Sequence, residues 1–116
     1  MTSGEWRPCL FSLTVYHLIM SKPLPQTKIT AALAGLPGWK FQRNALAKTF
    51  KFGSFREALS FMVHVGFEAE AMNHHPAWTN LYNRVAIRLS THDAGDRVTA
   101  KDIGLARRIQ GITWVG

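Results

Sequence analysis

Residues 53–90 read GSFREALSFMVHVGFEAEAMNHHPAWTNLYNRVAIRLS, and the change of period inside this stretch decides the fold. Gly53 and Ser54 offer a helix N-cap with Glu57 three positions beyond Ser54, the spacing of a capping box. The run from Phe55 to Met72 then carries no proline. On a wheel of about 100° per residue with Phe55 at zero, Ala58, Leu59, Met62, Gly66 and Ala69 fall within about 60° of it, the core stripe of an amphipathic helix. Phe61, Val65 and Met72 widen the stripe on one flank and Val63 and Phe67 on the other, to an apolar arc of roughly 240°. One sheet cannot cover so wide an arc. The flank bearing Phe61, Val65 and Met72 is therefore expected to pack against the same helix of a second copy, because large apolar patches on small domains usually mark interfaces. Pro76 ends the helix near Asn73 by driving His75 out of helical geometry. Beyond it the period drops to two: Trp78 to Tyr82, a break at Asn83, then Val85, Ile87 and Leu89 alternating with Arg84, Ala86, Arg88 and Ser90.

On the N-terminal side, Thr27 is a candidate N-cap for a short helix over Lys28 to Ala34 that stops at Gly35. Leu36-Pro37-Gly38 reads as a turn, and Trp39 to Arg43 and Leu46 to Phe52 read as two strands joined through Asn44-Ala45. On the C-terminal side Thr91 closes the strand, His92 follows, and Asp93 to Arg97 form a glycine-containing loop. Thr99 to Asp102 is a second capping-box start, leading into a helix with Ile103, Leu105, Ala106 and Ile109 on its apolar face. The order α-β-β-α-β-β-α predicts an α+β domain, a four-stranded antiparallel sheet with helices packed on one face.

With 116 residues the chain has room for one such domain, placed at 25–116. Residues 1–24 are set apart as a leader, disordered or targeting, with Met20 a possible true start. Its apolar run CLFSLTVYHLIM at 9–20 is interrupted by His17 and is well short of the roughly 20 residues that span a bilayer, so no membrane span is expected. The location is cytoplasmic, or mitochondrial if the leader acts as a presequence. Cys9 is the single cysteine, which excludes an internal disulfide. The net charge of +7 is dispersed, without a basic run interleaved with aromatics, and no direct contact with nucleic acid is expected.

Three of the five histidines, His74, His75 and His92, stand at the ends of elements. Imidazoles titrate near neutrality, so two that converge can supply both a proton donor and a proton acceptor. His74 and His75 in extended chain point to opposite faces, so His92 must come from the other strand end to complete a pair. Glu70 falls inside the apolar arc one turn before His74, where a carboxylate needs a partner, and an imidazole would serve; Asp102 is the second candidate for orienting a histidine. His17 and His64 carry no such signal. Zinc is the rival use of the same side chains, but the compact His-x3-His spacing is missing, and no metal is expected.

The motif Glu70-Ala-Met-Asn-His74-His75-Pro76-Ala-Trp78-Thr-Asn80-Leu-Tyr82-Asn83-Arg-Val85, with Leu89-Ser-Thr91-His92-Asp93-Ala-Gly95 and Thr99-Ala-Lys-Asp102 downstream, resembles the pterin-4a-carbinolamine dehydratase family. Leu36-Pro37-Gly38-Trp39 and Phe50-Lys-Phe52 extend the likeness to about residues 27–110. The resemblance implies a hydro-lyase that converts 4a-hydroxytetrahydrobiopterin to quinonoid dihydrobiopterin and water without a cofactor, recycling the pterin of aromatic amino acid hydroxylases. It implies His74 and His92 as the acid–base pair, His75 as the residue that orients the pterin, and Glu70, Pro76, Trp78 and Asp102 as binding or orienting residues. It also implies a tetramer built through helix 54–72, and, as an alternative function, the dimerisation cofactor or transcriptional coactivator role of some animal members. Two features depart from the family pattern. The 92–102 loop is one residue longer than usual, with Asp96-Arg97 where Gly-Leu is common, and the leader is extra.

Overall fold

A computed structural model describes residues 21–112; the readings of residues 1–20, Cys9 and His17 included, lie outside them. The elements follow the expected order: α1 (Gln26–Leu33), β1 (Lys40–Gln42), β2 (Ala45–Lys51), α2 (Phe55–Met72), β3 (Ala77–Leu81), β4 (Arg84–Leu89), a 3-10 turn (His92–Ala94) and α3 (Ala100–Gln110). The four strands form one antiparallel sheet in the order β1-β2-β4-β3. Leu46↔Leu89, Lys48↔Ile87 and Phe50↔Val85 are partners between β2 and β4, and their side of the sheet is the one the helices cover. The alternate partners Ala47↔Arg88, Thr49↔Ala86 and Lys51↔Arg84 form the open side. Period-two alternation has thus sorted every large aliphatic of β4 inward.

Local details differ from expectation by a residue or two. α1 starts after Pro25, not at a Thr27 cap: Pro25 is held extended at φ −69°, and its carbonyl accepts from Lys28 N and Ile29 N. Leu24, assigned to the leader, packs against the core and donates its N–H to Val98 O. The first hairpin turns at Arg43-Asn44, both with positive φ (51° and 62°). That is the handedness a two-residue turn needs to match the strand twist.

The larger correction concerns α2. Its buried residues are Ala58, Phe61, Val65 and Ala69, with Val65 0% exposed. The flank expected to meet a second copy is therefore the core face. Phe61 packs against Phe50 and Phe52, at ring centroid distances of 4.7 and 4.9 Å. The opposite flank, Phe55, Leu59, Val63 and Phe67, is the one left open, with Phe67 69% exposed. A wheel that weights every apolar residue alike is centred about 70° from the true core direction. Glu70 falls between Leu59 and Val63 on that wheel, so its carboxylate lies on the open side and needs no buried partner.

Candidate active site

α2 ends in a way that aims the two adjacent histidines apart. Asn73 takes the left-handed conformation at φ 51°, its N–H donating to Glu70 O and the N–H of His74 to Ala69 O. This Schellman ending reverses the chain, and Pro76 prevents the helix from resuming. His74 turns inward and is buried, while His75 turns out.

His74 Nε2 stands 2.6 Å from Asp102 Oδ1. Asp102 is brought there by the expected capping box of α3: its Oδ2 accepts from Thr99 N at 2.8 Å while the Thr99 side chain caps the helix. Thr91 Oγ1 donates to the same Oδ2 at 2.8 Å and lies 2.7 Å from Thr99 Oγ1. The carboxylate is 0% exposed and every neighbour it has is a donor. Gly95 and Asp96 take left-handed φ of 72° and 60° in succession, and Thr91 N reaches Arg97 O at 2.8 Å.

The other two imidazoles have carboxylates too, in water. His75 Nε2 is 2.8 Å from Glu70 Oε1, both side chains more than half exposed. Glu70 therefore orients His75 and not His74. His92 Nδ1 is 3.3 Å from Asp96 Oδ1 on the 3-10 turn. His74, His75 and His92 line one cleft of about 260 Å³ together with Asn73, Ser90, Thr91, Asp93 and Lys101. Pro76 and Trp78 do not line it. Trp78 pairs with Ile87 across β3 and β4, which turns its ring to the helix-covered side, where it packs against the core.

A larger groove of about 520 Å³ between α1 and α3 holds no acid and no imidazole, only Lys28 and Arg107 as charged groups. Among the described residues no three His, Cys, Asp or Glu side chains converge where they could hold a metal ion, since each imidazole of the cleft faces its own carboxylate. The lysine most changed by the fold is remote from the cleft: Lys48 donates to Pro37 O and Gln110 Oε1 at 2.7 and 2.8 Å, and burial pushes its pKa below the usual lysine value.

Thr91 is the partner of Asp102 that chemical reasoning from sequence passes over, since it reads only as the end of a strand. A signal for it exists. Counting by twos from Val85 through Ile87 and Leu89 puts Thr91 on the covered side, where a hydroxyl has to find a partner.

The arrangement is a hydroxyl-braced carboxylate behind one of three histidines at the rim of a small α+β domain. The profile of the family described as "Pterin 4 alpha carbinolamine dehydratase" matches residues 22–112, and the chain belongs to that family of dehydratases. A protein of Opitutus terrae named "Putative pterin-4-alpha-carbinolamine dehydratase" is 61% identical over 93 residues, 80% of this chain and 96% of that one. One of the same name from Rhizobium etli is 46% identical over 92 residues, 78% of this chain and 90% of that one. Among solved structures, a "transcriptional coactivator/pterin dehydratase from Brucella Melitensis" superposes with a TM-score of 0.71 at 39% identity, over 76% of this chain and 95% of that one.

Proposed function

We propose that the chain converts 4a-hydroxytetrahydrobiopterin to quinonoid dihydrobiopterin and water by histidine acid–base catalysis, in the recycling of the pterin used by aromatic amino acid hydroxylases. The observation that carries the reading is the convergence of His74, His75 and His92 on one cleft, with Asp102 behind His74. Breaking the C4a–O bond needs a proton delivered to the departing oxygen, which leaves as water. Loss of the N5 proton to a base releases the electron pair that forms the C4a–N5 double bond. Each proton transfer suits an imidazole near its own pKa. His74 and His92 form the acid–base pair, and His75, held by Glu70, orients the pterin. The mechanism uses no metal and no organic cofactor. Turnover of a synthetic 4a-carbinolamine followed by ultraviolet absorbance tests it: the expected rate exceeds the spontaneous one, whereas a pure coactivator-type binding module gives no excess.

The coactivator alternative draws on the likeness to the Brucella protein, which is described as a coactivator as well as a dehydratase, and the open flank of α2 is the surface either role would use. The same flank supports a homo-oligomer, a tetramer through α2, because four large apolar side chains at intervals of four residues make a self-complementary strip. Phe67→Glu is expected to yield a smaller species in sedimentation that remains folded, since Phe67 adds nothing to the core; a monomeric wild-type chain at micromolar concentration sinks the assembly. On the open side of the sheet Lys40, Lys51, Arg84 and Arg88 have no aromatic among them, which favours a solvated face over nucleic-acid binding. No helix among the described residues is long and apolar enough to cross a membrane. The bacterial relatives favour the cytoplasmic over the mitochondrial alternative. The proposed leader ends before Leu24, which packs with the domain.

A further inference from the structure

We propose that Thr91 is a positioning residue that sets the tautomer of His74, and that it does so from the base of the turn that carries His92. The inference deepens the dehydratase reading and rests on it. Two hydroxyls reach Asp102 Oδ2, and that of Thr91 at 2.8 Å is much the closer, Thr99 Oγ1 standing 3.5 Å away. Thr99 Oγ1 accepts from Lys101 N at 3.2 Å, and its own proton has Thr91 Oγ1 at 2.7 Å as a nearer acceptor than Asp102 Oδ2. Thr91 then has its own proton left for Asp102 Oδ2 at 2.8 Å, where Thr99 N also donates. Oδ2 is thereby occupied, and Oδ1 is left to His74 at 2.6 Å. A carboxylate in this position only accepts, so the neutral form of the His74 ring carries its proton on Nε2 and its lone pair on Nδ1. That makes His74 the base of the pair, with Asp102 placed to stabilise the imidazolium formed when it takes the substrate proton. His92 is left as the acid.

The backbone of Thr91 adds the second half of the role. Its N–H donates to Arg97 O, and its carbonyl accepts from Ala94 N and Asp96 N, so it closes the loop in which His92 sits. One residue ties both imidazoles to a common frame, although it lines the cleft only at its floor. Of its two attachments, only the hydroxyl is removable by substitution without touching the backbone.

The test has two arms. In wild-type protein labelled with ¹⁵N at histidine, the neutral form of the His74 ring is expected to show a protonated-type Nε2 and an unprotonated-type Nδ1. A proton on Nδ1 overturns the proposal, and this arm needs neither turnover nor a variant that folds. In the second arm, Thr91→Val keeps the shape and removes the hydroxyl, while Thr91→Ser keeps the hydroxyl. Thr91→Val should lower kcat about tenfold with KM little changed, the cost of one buried donor to a carboxylate, and Thr91→Ser should stay near wild type. In a His74→Ala background Thr91→Val should cost nothing more, because its effect passes through His74. An equal loss in both backgrounds assigns Thr91 a merely structural part and overturns the proposal. Absence of wild-type turnover with the expected tautomer present refutes the dehydratase reading and leaves the tautomer assignment standing.

Discussion

His74 and His75 are neighbours in the chain, each within 2.8 Å or less of a carboxylate oxygen, yet their surroundings differ in every respect that sets the worth of the contact. Around the His74–Asp102 pair, water is excluded and the carboxylate is held by two further donors, the Thr91 hydroxyl and the Thr99 N–H. The His75–Glu70 pair is 58% and 78% exposed, and its second-best partner is solvent. A buried pair that loses one member leaves a desolvated polar group behind, at about 3–5 kcal/mol. An exposed pair that loses one member is rehydrated, at about 0–1 kcal/mol. The same two functional groups thus build a fixed, pre-oriented imidazole in one place and an adjustable contact in the other. His92, 93% exposed on its turn, resembles His75 in this and not His74.

The largest effect should come from Asp102→Ala. It strands His74, Thr99 N and the Thr91 hydroxyl together, and both chemical denaturation and turnover should register it, with several kcal/mol lost from stability and activity near the background. A stability within about 1 kcal/mol of wild type would erase the contrast between the two pairs. Next, His74→Ala and His92→Ala should each lower the rate by about 10² or more, the usual weight of a positioned acid or base. They should differ in melting temperature, since His92 contributes one exposed contact and His74 a buried one. Equal destabilisation by both would break the comparison from the other side. Glu70→Gln should change stability by less than about 1 kcal/mol and act mainly on KM, because it weakens the hold on His75, the residue proposed to orient the pterin. The smallest effects belong to His64→Ala, on the exposed side of α2, and to exhaustive chelation, neither of which should move rate or melting temperature. Stoichiometric zinc lost together with activity would restore the metal reading of the three histidines.

Much of this site is legible in residues 53–102. The capping box at Thr99 fixes where Asp102 sits on α3, and the break at Pro76 fixes where the histidines leave α2, because caps and proline act within a few residues of themselves. The partnership of Glu70 is not legible, for a different reason. Its position on the helix wheel is correct, but the direction of the core around that wheel depends on which apolar residues the sheet and α3 cover. Leu59, Val63 and Phe67 are as apolar as Phe61 and Val65, and only packing separates them. Trp78 stands in the motif where a binding residue is expected; its register against Ile87 sends it to the core.

The order of elements, the family and the three histidines that matter are all present in the chain before it folds, since each is written in local periodicity, capping residues or a contiguous motif. It takes the folded arrangement to give Asp102 to His74 and Glu70 to His75, to set Thr91 as the brace of the former pair, and to turn the Phe61–Val65 side of α2 inward. Those are contacts between residues up to 28 positions apart, and what selects the buried ones is the exclusion of water from one side of a sheet. No local propensity encodes that exclusion, because it exists only once the helices have closed over β2 and β4.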